Sequence, residues 1–372
     1  MPKLLLINPS IKKTVLGNTR ATTWPPLNLP YIAALTPPHY DVQVIDENIE
    51  PFEVRDADVV GITAMTSSVF RAYQIAQRYR SSGIPTIMGG IHVSMMPDEA
   101  LEFCDAVVIG EAESVWAKLL EDLDSGRLQR KYRGDWQDLQ NLPLPRRDIL
   151  KNSFYNWGSL QTSRGCPMDC TFCSVTAFNG RRFRRRKINS VIHELKQIPQ
   201  KKILIADDNI IGHGRKDREW TKTFFKKVID LRLKKIFFAQ SSLQFGEDPE
   251  LLRLAAAAGV KVVLIGMESV NPASLQAYKK FINLKHFQAK RYTELIGNVR
   301  KAGIAVLGAF VMPDDNDTKD VFDATRHFIQ STGIDIIQTT KPTPLPGTQL
   351  WDTLMKDNRI IDTDFPRAWQ EY

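Results

Sequence analysis

Short aliphatic and β-branched runs alternate along most of the chain with stretches whose apolar residues recur at helical spacing. In the first part, Lys3–Asn8, Asp41–Asp46, Asp58–Thr63, Ile84–Gly90 and Ala106–Gly110 are predicted strands. Helices are predicted at Leu29–Thr36, Ser68–Ser81, Pro97–Phe103 and Glu113–Asp124. The segment 126–157, centred on Leu142-Pro-Leu-Pro-Arg-Arg-Asp148, has little periodicity and reads as a linker. The alternation resumes at 158. Strands are predicted at Ser159–Ser163, Lys202–Asp207, Lys235–Gln240, Lys261–Met267, Ala305–Val311 and Ile334–Thr340. The intervening helices are predicted at Asn189–Ile198, Asp217–Leu231, Asp248–Ala258, Phe287–Ala302 and Thr318–Ser331.

Near-continuous apolar strands with helices between them imply parallel α/β sheets covered on both faces. Five strands over 1–125 fit a doubly wound, flavodoxin-like (Rossmann-type) domain, whose ligands sit beyond the C-terminal strand ends. Six β/α units over 158–350 are too few for a closed eight-stranded barrel and fit a partial (β/α)6, TIM-like one. Chemistry in such folds gathers at the C-terminal rim of the strands. Residues 351–372 read as a C-terminal tail.

Composition narrows the class. The 372 residues are 43% hydrophobic and 25% charged, an ordinary globular balance that suits two domains. No stretch approaches the ~20 apolar residues of a membrane-spanning helix. The apolar run at the N-terminus is too short for a secretory signal, so the cytoplasm is the expected compartment. The net charge of +8 gives a basic surface, but no nucleic-acid-reading motif accompanies it. Nucleic acid is therefore not an expected partner. Only four cysteines occur, which excludes a disulfide-stapled secreted scaffold.

Three of those four lie in Arg164-Gly-Cys166-Pro-Met-Asp-Cys170-Thr-Phe-Cys173, a CxxxCxxC spacing with an aromatic residue before the last cysteine. Three thiolates on one loop can hold three irons of a 4Fe–4S cluster and leave the fourth iron open to an external ligand. A structural zinc site wants four ligands, and no nearby Cys or His completes a set. The run Arg181-Arg-Phe-Arg-Arg-Arg-Lys187 follows. It reads as a solvated charged face, as a site for an anionic substrate, or as an electropositive wall beside cluster and ligand.

The cysteine motif resembles that of the radical S-adenosylmethionine (SAM) superfamily. The resemblance implies that Cys166, Cys170 and Cys173 ligate the cluster and that SAM chelates its open iron. It also places SAM contacts on the strand rims. Asp207 and Asp208 follow the second strand, Gln240 and Ser242 the third, and Glu268 the fourth. Asp207-Asp208-Asn209 departs from the family's Gly-Gly-Glu-like motif and also reads as a turn cap; Glu268 also reads as a structural carboxylate. Val311-Met-Pro-Asp314 occupies the adenine side in this comparison.

The first domain is similar to the cobalamin-binding domain of class B radical SAM enzymes. The similarity is carried by Leu5-Leu-Ile-Asn-Pro9, Trp24-Pro-Pro-Leu-Asn-Leu-Pro30, Gly61-Ile-Thr63 with Ser67 and Ser68, Gly89-Gly90-Ile-His92-Val-Ser94 and Gly110-Glu111-Ala-Glu113. Small residues beyond strand ends let a corrin approach the backbone, and Gly89 and Gly90 would admit its nucleotide tail. The DxHxxG sequence that supplies a histidine to cobalt elsewhere is absent. His92 is expected to hydrogen-bond the tail or backbone rather than ligate cobalt. Cys104 reads as a small core residue, which excludes the three-cysteine second cluster of the tRNA methylthiotransferases.

The resemblance extends from Lys3 to about Arg359, and Thr343-Pro-Leu-Pro-Gly-Thr348 is similar to a loop late in the core of these enzymes. Relatives commonly continue with a helical segment that covers the site. The chain would then be a trimmed one, a short member, or one completed by a partner. The implied function is a cobalamin-dependent radical SAM methyltransferase. One SAM methylates cobalamin, and a second yields a 5′-deoxyadenosyl radical that abstracts hydrogen from substrate. The two cofactors would face each other across one cavity. The implied partners are a small-molecule, lipid, tetrapyrrole or peptide substrate and an external flavodoxin- or ferredoxin-type electron donor. Cobalamin-assisted cyclisation or rearrangement, and a plain radical SAM core whose first domain binds no cobalamin, stay open. A non-catalytic iron–sulfur nucleic-acid binder would instead show cluster without turnover.

Overall fold

The computed structural model describes residues 1–10, 23–288 and 290–372. The chain divides into two compact units, Met1–Trp157 with Trp351–Tyr372, and Gly158–Leu350. Among the described residues no helix is long and apolar enough to cross a membrane.

The first unit is built on six parallel strands, β1 (Lys3–Asn8), β2 (Asp41–Asp46), β3 (Val59–Thr63), β4 (Thr86–Gly89), β5 (Ala106–Gly110) and β6 (Lys131–Gly134). Their order is β2-β1-β3-β4-β5-β6, a doubly wound arrangement whose direction reverses at β1 and β3. Side chains alternate across the sheet, and both faces are covered. Leu5 and Ile7 join one buried cluster, Leu4 and Leu6 the other, which is why the first strand is apolar without a break. Each such leucine contributes about 1.5–3 kcal/mol on burial.

The predicted linker is part of this unit. Its residues 131–134 form β6 beside β5, an edge strand in which only Tyr132 is buried, so it carries no apolar run to betray it. Further on, the Tyr155 hydroxyl donates to Asp46 at 2.6 Å, fastening the segment to β2. The predicted tail also packs here. Trp369 is fully buried among Tyr73, Ala76 and Val93, and stacks on Phe365 with ring centroids 4.1 Å apart.

The second unit carries β7 (Trp157–Leu160), β8 (Ser163–Arg164), β9 (Arg184–Arg185), β10 (Lys202–Ile205), β11 (Ile236–Ser241), β12 (Val260–Glu268), β13 (Ala305–Val311) and β14 (Ile336–Thr340). Six of these form one sheet in the order β14-β13-β12-β11-β10-β7, and β8 pairs β9 in a separate antiparallel ladder. The helix Pro249–Ala258 shows how local chemistry marks the boundaries. Asp248 Oδ1 accepts from the Leu251 amide at 3.0 Å, Pro249 opens the helix, and Gly259 closes it at φ 107°. The helix predicted at 287–302 is instead two, Phe281–Gln288 and Tyr292–Lys301, with Lys290 at φ 52° between them. Ala289 of that prediction lies outside the described residues.

Candidate functional site

The cysteine loop leaves the C-terminal end of β7 and is held at many points. Asp207 is fully buried and accepts from the Thr162 and Ser163 amides at 2.6 and 3.0 Å and from both hydroxyls. Asp208 accepts from the Gly165 amide at 2.9 Å. Midway along, Thr171 N donates to the Tyr278 carbonyl at 3.3 Å and Leu350 N to the Thr171 carbonyl at 2.9 Å. Phe172, the aromatic of the motif, packs edge-on against Tyr278 at 5.1 Å.

Cys166 and Cys170 open onto a small cavity of about 60 Å³ at this rim, shared with Asp208, Ser242, Lys280 and Asn283. Cys170 is buried and Cys166 and Cys173 partly so. Burial pushes the Cys170 thiol up to about 11 and raises Cys166, while the Lys280 charge acts in the opposite sense on both. Among the described residues no three His, Cys, Asp or Glu side chains meet around a single ion. Cys166, Cys170 and Cys173 lie on one loop, and three thiolates on one loop can each take a separate iron of a cube.

Lys280 is the group that sequence reasoning missed. Its Nζ donates to Glu268 Oε1 at 2.6 Å, and both side chains are nearly buried. Burial opposes its charge, but Glu268 and the thiols of Cys170 and Cys166 more than offset that and hold the ammonium protonated. The backbone is shaped for this pair. β12 is irregular between Gly266 and Glu268, and Glu268 sits at φ 64°, which re-aims its carboxylate. A side chain at 266 would put its Cβ 2.2 Å from Glu268 Oε1 and 3.0 Å from Lys280 Nζ. Two buried atoms on the cavity wall, Ser242 Oγ and Asn283 Oδ1, have no protein partner. Buried polar atoms are normally paired. A polar ligand with an amine and a carboxylate beside a thiolate-held cluster fits this donor set.

The other expectations for this rim divide. Asp207 is a scaffold residue, because all its acceptor capacity is used on the loop. Glu268 is occupied by its ion pair with Lys280. Asp208 and Ser242 line the cavity; Gln240, half-buried at the end of β11, does not. Met312 of the adenine-side motif is buried in the core. The basic run is not a solvated face throughout. Arg185 donates to the Ile210 carbonyl at 2.7 Å and lies over the Phe183 and Trp220 rings at 4.8 and 4.4 Å. Arg186 is 1% exposed and paired with Glu194 at 2.6 Å. With β8 and β9 paired, these arginines close the base of the cysteine loop rather than wall the cavity.

In the first unit the predicted ligand residues follow β3, β4 and β5. Thr63 Oγ1 accepts from Asn28 Nδ2 at 2.8 Å, and Ser67 is half-buried in the first turn of the helix Thr66–Arg80. Gly89 leaves ordinary contact distances around an added Cβ. An exposed apolar side chain stands in the same region, Met65 at 59%. Small residues with an exposed apolar one at strand ends suit the face of a macrocycle.

Several neighbours have close contacts within the protein. Gly90, at φ 103°, lets the turns after β3 and β4 approach closely; an added Cβ would lie 2.6 Å from the Ala64 carbonyl. Ser68 caps its own helix by accepting from Met65 N. Ser94 Oγ bridges the Gly90 carbonyl and the Gly110 amide at 2.8 and 3.0 Å. Glu111 accepts from Gln137 N at 2.6 Å. His92, expected to meet a tail or backbone, has both ring nitrogens on side chains, Thr66 Oγ1 at 3.1 Å and Glu99 Oε1 at 3.2 Å, and its side chain is 0% exposed.

A doubly wound sheet with an open, small-residue rim and a (β/α)6 sheet with a three-cysteine loop define a two-domain iron–sulfur enzyme of the radical type. Comparison with known proteins agrees. The B12 binding domain family matches residues 13–120, and the Radical SAM superfamily matches 160–327. The chain is 29% identical over 379 residues to bacteriochlorophyllide d C-12(1)-methyltransferase of Chlorobaculum tepidum, covering 97% of this chain and 80% of that one. It is 28% identical over 363 residues to hopanoid C-2 methylase of Rhodopseudomonas palustris, covering 92% and 67%. Its fold matches the solved structure of the radical SAM methyltransferase TsrM from Kitasatospora setae with cobalamin and a [4Fe-4S] cluster bound. The TM-score is 0.76 at 17% identity, over 98% of this chain and 76% of that chain. The chain thus carries a B12 binding domain followed by a Radical SAM superfamily domain, the pairing found in class B radical SAM enzymes. The cofactors these two domains imply are cobalamin, SAM and a 4Fe–4S cluster.

Proposed function

We propose that the protein is a C-methyltransferase acting on a small, largely apolar molecule of the tetrapyrrole or polycyclic-lipid kind. The observation that carries the reading is the cavity of the second unit, where two motif cysteines share a wall with Lys280 and two unpartnered polar atoms. When bound, the cluster with SAM supplies hydrogen-atom abstraction and cobalamin supplies a transferable methyl group. Cys166, Cys170 and Cys173 hold three irons. Lys280 meets the SAM carboxylate and offsets the negative charge of the thiolates. Asn283 Oδ1 would accept from the SAM amino group, and Ser242 would contribute its hydroxyl. Asp208 and Gln240 are further candidates at this rim, and Thr63, Ser67, Met65 and Gly89 are those for the corrin in the first unit. Glu268 orients Lys280, and Asp207 orients the loop. The substrate class follows from the similarity to the bacteriochlorophyllide and hopanoid methylases. The reading includes a reducing cytoplasm, which favours a thiolate-held cluster, and a flavodoxin- or ferredoxin-type electron donor.

The test is anaerobic turnover of cluster-reconstituted protein with cobalamin, SAM, a low-potential reductant and bacteriochlorophyllide or hopanoid acceptors. Methyl transfer from SAM predicts S-adenosylhomocysteine and 5′-deoxyadenosine in equal amounts and a methylated acceptor. Formation of 5′-deoxyadenosine alone overturns methyl transfer. It would favour a cyclase, such as the anaerobic magnesium-protoporphyrin IX monomethyl ester cyclase of Rubrivivax gelatinosus, to which the chain is 24% identical over 413 residues.

A further inference from the structure

Glu99, in the helix Pro97–Phe103, is a nearly buried carboxylate far from the cysteine loop in sequence, and the function proposed above gives it no task. It accepts from His92 Nε2 at 3.2 Å, from the Tyr73 hydroxyl at 2.7 Å, and from Trp369 Nε1 at 3.0 Å to each oxygen. Because the carboxylate accepts, His92 Nε2 carries the proton, and Nδ1 takes the Thr66 hydroxyl at 3.1 Å. His92 N also donates to the Ala64 carbonyl at 3.3 Å. A continuous chain of contacts therefore runs from Trp369 through Glu99 and His92 to Ala64 and Thr66. Its far end is the turn after β3, and its middle is the turn after β4.

A packed apolar side chain would fill the position of Glu99 without the desolvation cost of a carboxylate. Burial alone would raise this carboxyl, and the hydrogen bonds from His92, Tyr73 and Trp369 hold it below its ordinary value. What a carboxylate adds is direction: three donors from separate parts of the chain converge on two oxygens. The Trp369 ring also lies edge-on to His92 at 4.9 Å, so the imidazole plane is fixed by packing as well. Resting on the reading that the turns after β3 and β4 receive cobalamin, we propose that Glu99 and Trp369 are positioning residues for that cofactor. Acting through His92, they set the spacing of the two turns and couple the segment 365–372 to cobalamin retention.

The experiment titrates hydroxocobalamin into cluster-reconstituted full-length protein and reads the bound corrin by visible absorption after desalting. Trp369→Phe keeps the ring stack and removes the N–H; Glu99→Leu removes the acceptor; Glu99→Gln keeps an acceptor. Trp116→Phe is the control. Trp116 is equally buried on the other face of the sheet, and its Nε1 donates to Thr36 Oγ1 at 2.9 Å. The expected result is cobalamin binding weaker by about 10-fold in Trp369→Phe and Glu99→Leu, largely restored in Glu99→Gln. Iron content stays unchanged, and Trp116→Phe lowers the melting temperature without changing cobalamin affinity. Wild-type affinity in Trp369→Phe, the variant least disruptive to folding, overturns the positioning role and leaves the cobalamin reading standing. Loss of affinity in Trp116→Phe equal to that in Trp369→Phe also overturns it, since general destabilisation would then suffice. Failure of the wild type to retain corrin overturns the cobalamin reading itself, and the positioning role with it.

Discussion

The two units present the C-terminal rims of parallel sheets in opposite ways. After β3, β4 and β5, the polar side chains of the first unit turn back into the protein. Ser68, Ser94, Glu111 and His92 each have protein partners, and what faces outward is small or apolar. The rim of the second unit keeps polar capacity in reserve, with Ser242 Oγ and Asn283 Oδ1 unpartnered beside a lysine and two thiols. A corrin is large and flat and is met by backbone and apolar contact, whereas a cluster and an amino acid carry charge that needs placed donors and acceptors. The same sheet architecture thus yields a surface for shape in one unit and a pocket for charge in the other.

This contrast is broken most severely at the cysteines. Cys170→Ala is expected to abolish cluster assembly and turnover while corrin retention by the first unit continues; iron analysis and visible spectra of the same sample decide it. The mirror experiment is Gly90→Val. A Cβ at φ 103° meets the Ala64 carbonyl at 2.6 Å, and the strain is about 1–3 kcal/mol. Loss of corrin binding with full iron content is the expected outcome; unchanged binding would show that the two turns can separate without consequence.

Smaller effects sharpen it. Lys280→Met is expected to weaken SAM binding by about 10- to 100-fold, the scale of one charge-assisted hydrogen bond, with cobalamin affinity unaffected. Equilibrium dialysis with SAM measures both the loss and its selectivity. The smallest effect is the acid response of the first unit. Glu99 is held below its ordinary value of 4.5, so the folded state binds this proton less readily than the unfolded chain. Its contribution to stability is present above pH 4.5 and lost as pH falls through the folded value. Glu99→Gln is expected to remove that part of the slope in unfolding curves taken between neutral and acid pH. An unchanged slope would assign the acid response to other carboxylates.

The residues differ in how far their roles could be read from their neighbours. Cys166, Cys170 and Cys173 announce themselves because one short loop carries the whole donor set. Asp207 and His92 were visible as polar residues at strand ends, but position alone does not say whether a side chain faces a ligand or the loop beside it. In both cases internal hydrogen bonds use the side chain up. Strand β6 was hidden because an edge strand with one buried residue has no apolar period. The basic run looked solvent-facing because nothing local reveals that Phe183 and Trp220 receive Arg185.

The amino-acid order alone determined the alternating strands and helices, the two parallel sheets and the iron-binding loop, since each depends on periodicity or spacing within a few turns of chain. Only the tertiary structure decided the rest. Lys280 reaches the cysteines through a bulge and a left-handed residue in β12, and Trp369 reaches Glu99 from 270 residues away. Such contacts depend on where distant segments are packed, and no local pattern encodes that.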